Sequence, residues 1–208
     1  MQEVQNKKSY FDGGVMVYIG YSIAIGFLSM ITLGLAAPWL TCWYQKWLCE
    51  HTYINGRRLK FDGTGGELFL KMLWWGLLTC ITCGIYMFWA IVNQQKWVAE
   101  HTHFAEGDGC VPVSEFKGTG LEFLGYFFLS FFACLIPVVG VVLSTHIIIK
   151  WVINNTVIDS HQLKFTGDFG GLFVKHLIWG LLSMVTCGIY GLFVPVKYIE
   201  WETEHTVY

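Results

Sequence analysis

Long stretches without a charged side chain alternate along the chain with short polar ones. The uncharged runs are 13–45, 72–95, 123–149 and 176–196, each longer than the ~18 residues that mark a membrane segment. Inside each run lies a glycine, at Gly34, Gly84, Gly140 and Gly188, followed at once by Leu35, Ile85, Val141 or Ile189. That pair predicts a Schellman stop, with the glycine left-handed and the next apolar residue folded back. Pro38 suits the first turn of a second helix, while Pro137 and Pro195 are placed to kink.

The same pattern returns four times. Phe11, Phe61, Phe116 and Phe165 open the copies, and the glycine follows 23, 23, 24 and 23 residues later. His51-Thr52, His101-Thr102 and His205-Thr206 close three copies, and Asn155-Thr156 closes the third. Residues 61–90 match 165–194 at 16 of 30 positions, so a two-copy unit was doubled. The repeats read as 9–58, 59–105, 114–162 and 163–208, in halves 1–105 and 114–208.

Between the runs, Asn55-Gly56 separates two alternating stretches and predicts a β-hairpin. Asp159-Ser160 repeats it with weaker turn residues, and a longer glycine-rich junction from Phe104 to Phe116 divides the halves. Thr64…Glu67 and Thr119…Glu122 read as capping boxes, Asp168 as a simple cap, and Asp12-Gly13-Gly14 has lost the box.

Two topologies fit. Each run is one long spanning helix, or each is a helical hairpin with its tip at the glycine and all polar junctions on one side. Charge placement favours the hairpin, because 29–41, 79–91, 134–145 and 184–195 hold no Lys, Arg, Asp or Glu. The expected fold is an all-α integral membrane protein of four such repeats with short β-hairpin connections.

Composition agrees. Mean hydropathy is +0.49, and only 13% of the 208 residues are charged, too few to cover a soluble domain of this size. A net charge of −2 without a basic stripe argues against nucleic acid. Met1 to Lys8 reads as a retained polar segment and not a signal peptide. The seven cysteines, Cys110 among them, read as packing residues because most lie in apolar runs.

The opening Phe61-x-Gly63-Thr64-Gly65-Gly66-Glu67-Leu68-Phe69, the break Thr82-x-Gly84-Ile85-Tyr86 and the closing His-Thr resemble the YjgN-like family of bacterial inner-membrane proteins. Gln94-Gln95-Lys96 stands where such proteins often place an arginine cluster. The resemblance implies the bacterial inner membrane and a fold, and carries no biochemical activity.

The candidate chemistry is sparse. Lys46, Lys71, Lys96, Lys150, Lys175 and Lys197 sit at similar depth on the helical legs, where they snorkel to the interface, hold anionic lipid headgroups or line a pore. Trp47, Trp97 and Trp151 follow three of them directly and read as an interfacial belt. His51, His101 and His205 are weak metal candidates, since a histidine ending a helix also complements its dipole. Cys80-x-x-Cys83 is not kept as a pair in its counterpart, Met184 and Cys187.

No nucleophile with a base, phosphate loop or carboxylate pair points to an enzyme, and no cofactor is implied. The reading is a multi-pass inner-membrane protein with cytoplasmic termini, a self-associating, lipid-binding scaffold that forms homo-oligomers. Trp74, Trp75, Gly76, Trp179 and Gly180 supply its contact faces. A small-solute transporter or channel is the alternative.

Overall fold

The structure, a computed structural model, describes residues 8–106 and 113–208. The N-terminal segment up to Lys7, Cys110 and the centre of the glycine-rich junction lie outside the described residues. Each repeat is closed by its own backbone ladder. Phe11 pairs antiparallel with Thr52, Phe61 with Thr102, Phe116 with Thr156 and Phe165 with Thr206. The opening Phe and closing Thr of every copy are therefore cross-strand partners.

The strands are β1 (Tyr10–Phe11), β2 (Thr52–Ile54), β3 (Arg57–Phe61), β4 (Thr102–Phe104), β5 (Glu115–Phe116), β6 (Thr156–Ile158), β7 (His161–Gln162), β8 (Lys164–Phe165) and β9 (Thr206–Val207). They form sheets β1-β2-β3-β4, β5-β6-β7 and β8-β9. The β2–β3 turn has Asn55 and Gly56 at φ 49° and 75°, and the β6–β7 turn has Asp159 and Ser160 at 46° and 68°. Positive φ at both central residues matches the right-handed twist of the strands. The sequence boundary at 58/59 falls inside β3, so the hairpin is shared by two repeats.

Between its strands each repeat carries two helices. They are α1 (Val15–Ile31) and α2 (Ala37–Glu50), α3 (Gly65–Ile81) and α4 (Met87–Glu100), α5 (Gly120–Ala133) and α6 (Val139–Asn154), α7 (Phe169–Val185) and α8 (Val194–Glu204). A 3-10 turn, Ile189–Leu192, precedes α8. Glu67 near the start of α3 meets Trp97 near the end of α4, so the two legs run antiparallel. Among the described residues no helix is long and apolar enough to cross a membrane.

The tips of three repeats share one hydrogen-bond pattern. At the second, Gly84 N–H donates to Thr79 O at 2.8 Å and Cys83 N–H to Cys80 O at 3.2 Å, the paired bonds of a Schellman motif. Two consecutive residues are left-handed, Cys83 at φ 51° and Gly84 at 92°. The expected glycine position is thus held by Cys83, and Gly84 comes one later. Thr82 Oγ1 accepts from Tyr86 N–H at 3.0 Å and donates to Leu78 O at 2.8 Å. Thr32 and Thr186 repeat this, which is the physical content of the Thr-x-Gly motif.

The third repeat departs from the expectation, because Gly140 is not its break. The chain turns at Ile136-Pro137-Val138, with Val138 at φ 64°, and Gly140 lies buried in the first turn of α6. A Cβ on Gly140 would stand 1.9 Å from Ala133 O, so the glycine permits close helix approach. Pro38 and Pro195 sit in the first turns of α2 and α8.

The core follows the repeat as well. Trp47, Trp97, Trp151 and Trp201 are buried, each edge-on to its own Phe at 5.8, 5.7, 5.3 and 5.3 Å. Their indoles lie over Gly13, Gly63, Gly118 and Gly167, where a Cβ would come within 3.0 Å of the ring. The expected tryptophan belt is therefore a buried layer, Trp97 being 1% exposed. Edge-on packing of an indole on a Phe ring adds about 0.5–1.5 kcal/mol beyond the area the pair buries. Trp179, expected as a contact face, is also buried, edge-on to Tyr198, while Trp74 is exposed and Trp75 packs on the core.

Candidate functional site

The last turns of α2, α4, α6 and α8 converge above the strands on a cavity of ≈ 230 Å³. Symmetry of the repeat decides what faces it. Four residues before the closing Thr of each copy stand Leu48, Val98, Val152 and Glu202, and all four line the cavity. So do Thr52, Thr102, Thr156 and Thr206. Each threonine hydroxyl donates to the carbonyl one turn back, at 2.8, 2.7, 2.8 and 2.8 Å, which satisfies the polar atom locally. The wall is thus apolar apart from Gln45, Thr203 and one carboxyl.

That carboxyl is Glu202. It makes no ion pair or side-chain hydrogen bond among the described residues, and no Lys, Arg or His lines the cavity. Burial pushes its pKa up to about 7. Glu202 is half-buried and lines the cavity. Burial likewise pushes the Cys49 thiol up to about 12, so Cys49 is a neutral apolar wall. Sequence reasoning missed Glu202, although its three repeat counterparts are aliphatic and the exception is visible once the copies are aligned on their threonines.

A second cluster surrounds Glu67. Its Oε1 accepts from Trp97 Nε1 at 2.9 Å and lies 3.0 Å from Lys71 Nζ, while Oε2 lies 3.3 Å from His101 Nε2. The Trp97 N–H and then the Lys71 ammonium hold the carboxyl below its ordinary range. The capping box expected at Thr64 is not made: Glu122 bonds the equivalent Trp151 and still caps its helix, whereas Glu67 is also drawn to Lys71 and His101. Thr119 and Glu122 form theirs, and Asp168 caps α7 through Gly171 N–H.

The leg lysines divide into two groups. Lys71 and Lys197 are engaged, with Glu67 at 3.0 Å and Glu200 at 2.7 Å. Lys46, Lys96, Lys150 and Lys175 have no carboxylate partner among the described residues. Lys150 and Lys164 flank a groove of ≈ 520 Å³ with Asn154, Gln162 and Tyr208, and Lys117 reaches Gln162 from its side at 3.2 Å.

The histidines end their helices. Nδ1 of His51, His101 and His205 each lies 2.8 Å from the carbonyl of Trp47, Trp97 or Trp201. Among the described residues no three His, Cys, Asp or Glu side chains gather as metal ligands. Ser114, His103 and Asp159 do meet, but Ser114 Oγ and Asp159 Oδ1 both approach Nδ1, at 3.3 and 2.8 Å. A hydrolytic relay needs serine and carboxylate on opposite ring nitrogens, so this cluster is a tie between strands.

Residues 56–139 match a family described as a bacterial protein of unknown function, DUF898, the family that the motifs from Phe61 to Tyr86 resemble. No curated protein and no solved structure matches the chain.

Proposed function

We propose that this chain is a bacterial inner-membrane scaffold that dips four helical hairpins into the bilayer from the cytoplasmic side, self-associates and holds anionic lipid at its base. The observation that carries the reading is the partition of the surface. Met30, Ile31, Leu33, Leu35, Ile85, Leu135, Met184 and Val185 are exposed at the tips, Leu33 by 93%, beside no charged residue. A soluble monomer rarely leaves so much contiguous apolar surface in water.

Depth is consistent with entry from one side. Seventeen residues of α3 rise ~26 Å, short of a ~30 Å hydrocarbon core, so the tips penetrate deeply or thin the membrane locally. Lys150 and Lys164, on the groove beside β8, offer two ammonium groups to a phosphate headgroup. Gly76 and Gly180 have open space where a Cβ would stand, which leaves α3 and α7 free to approach a second copy.

Native mass spectrometry in mild detergent tests the reading. The expected result is an oligomer retaining anionic lipid, with less lipid on Lys150→Gln, Lys164→Gln. A lipid-free monomer contradicts it. The alternative, a small-solute transporter or channel, draws on the central cavity with its one carboxyl, and solute flux in proteoliposomes would move the assignment there.

A further inference from the structure

We infer that the central cavity is a binding site for a small lipophilic amine in its ammonium form, the apolar body against Leu48, Val98, Val152 and Ile199 and the nitrogen on Glu202. Three copies of the repeat build their share of this wall with leucine or valine. The fold therefore has no structural need for a carboxyl at the fourth place. Deprotonated, Glu202 is an unpaired carboxylate on an apolar wall, a state that either a proton or a cation relieves, and the protein supplies no cation among the lining residues. A ligand bringing its own ammonium fills that role.

The surroundings exclude other classes. An anion would meet Glu202 without a compensating cation. A hard metal ion is held mainly by carboxylate oxygens, and Glu202 is the one carboxyl among the lining residues. A purely apolar molecule would leave Glu202 unpaired. Size also narrows the choice. A cavity of about 150 Å³ accepts benzene, so ≈ 230 Å³ accommodates one ring or a branched alkyl group with an aminoalkyl arm.

The experiment titrates the purified full chain in uncharged detergent with phenethylamine and with its neutral counterpart phenethyl alcohol, subtracting the micelle background. The parent is expected to bind the amine at least tenfold more tightly than the alcohol. Glu202→Gln should lose that preference while keeping the alcohol. Leu48→Phe, which fills the cavity without touching the carboxyl, should weaken both probes. The inference is overturned if the parent binds neither probe, if it binds both alike, or if Glu202→Gln binds the amine as the parent does. Circular dichroism of each variant separates lost binding from lost fold. Should Glu202→Gln not fold, Leu48→Phe and the amine-to-alcohol ratio of the parent decide the matter.

Discussion

Asp159, in the turn between β6 and β7, bonds to both the side chain and the neighbouring backbone of β4: Oδ1 lies 2.8 Å from His103 Nδ1, and Oδ2 accepts from Phe104 N–H at 2.7 Å. The first residue pair comes from opposite halves of the chain, 56 positions apart. Asp159 and Phe104 are buried, and Ser114 Oγ accepts the Asp159 N–H at 3.0 Å. This tie brings the junction after the second repeat and the turn after the third to the same end of the molecule.

Removing that carboxylate should loosen the two halves. Asp159→Ala leaves Phe104 N–H without its acceptor in a buried site, a loss of about 2–3 kcal/mol. For a chain of this size that lowers the thermal midpoint by roughly 5–10 °C in detergent. Asp159→Asn keeps an acceptor and should fall between. An unchanged midpoint for Asp159→Ala would remove the tie from the account.

The glycines separate packing from mere flexibility. A Cβ on Gly63 would stand 2.5 Å from Phe61 Cζ and 2.6 Å from Trp97 Cη2, whereas nothing lies within 4 Å of one on Gly76. Gly63→Ala should therefore cost about 1–3 kcal/mol through overpacking. Gly76→Ala, in a helix interior with no neighbour in its own subunit, should leave the stability of that subunit unchanged or raise it by up to ~1 kcal/mol. Folded yield on size-exclusion chromatography orders the two, and equal behaviour would contradict the buried tryptophan layer.

Much of this layout was legible from repetition. Phe61, Gly63, Thr82, Gly84 and Thr102 recur at fixed spacing because each serves one unit: a strand partner, an indole seat, a turn hydroxyl, a left-handed residue. The Asn55-Gly56 turn could be read because only a few residues tolerate its φ. Other features depended on tertiary partners that local pattern does not encode. Glu67 reads as a cap until Lys71 and His101 join Trp97 in drawing it away. Trp97 beside Lys96 reads as an interface residue until Phe61 and Gly63 enclose it. Gly140 reads as a break, yet Pro137 moves the turn and leaves it a packing role. Glu202 was hidden among Glu200 and Glu204, and only the helical phase points it to the cavity while Glu200 pairs with Lys197 and Glu204 is exposed.

Glu202 also sets a pH dependence. Burial raises its carboxyl from 4.5 to about 7, so between those values the folded protein keeps a proton that the unfolded chain has released. The contribution is complete below the unfolded value, falls as pH rises, and reaches its low plateau above the folded one. Glu202→Gln cannot titrate. It should gain on the parent as pH rises from 4 to 8, by about 2–3 kcal/mol in all. Parallel melting curves against pH for the two proteins would show that the carboxyl is not held in an apolar wall.

In the proposed arrangement the tips lie in lipid and the strand end in the cytoplasm. Single cysteines at Leu33, Asn55, Glu106 and Ser160, in a cysteine-free background, test it with a membrane-impermeant thiol reagent. In intact cells none should label. Once the inner membrane is permeabilised, Asn55, Glu106 and Ser160 should label together, and Leu33, 93% exposed on the protein surface, should stay unlabelled until detergent strips the bilayer. Labelling of Leu33 alongside Asn55 in permeabilised cells, or of Asn55 and Ser160 without Glu106 in intact ones, would contradict the account.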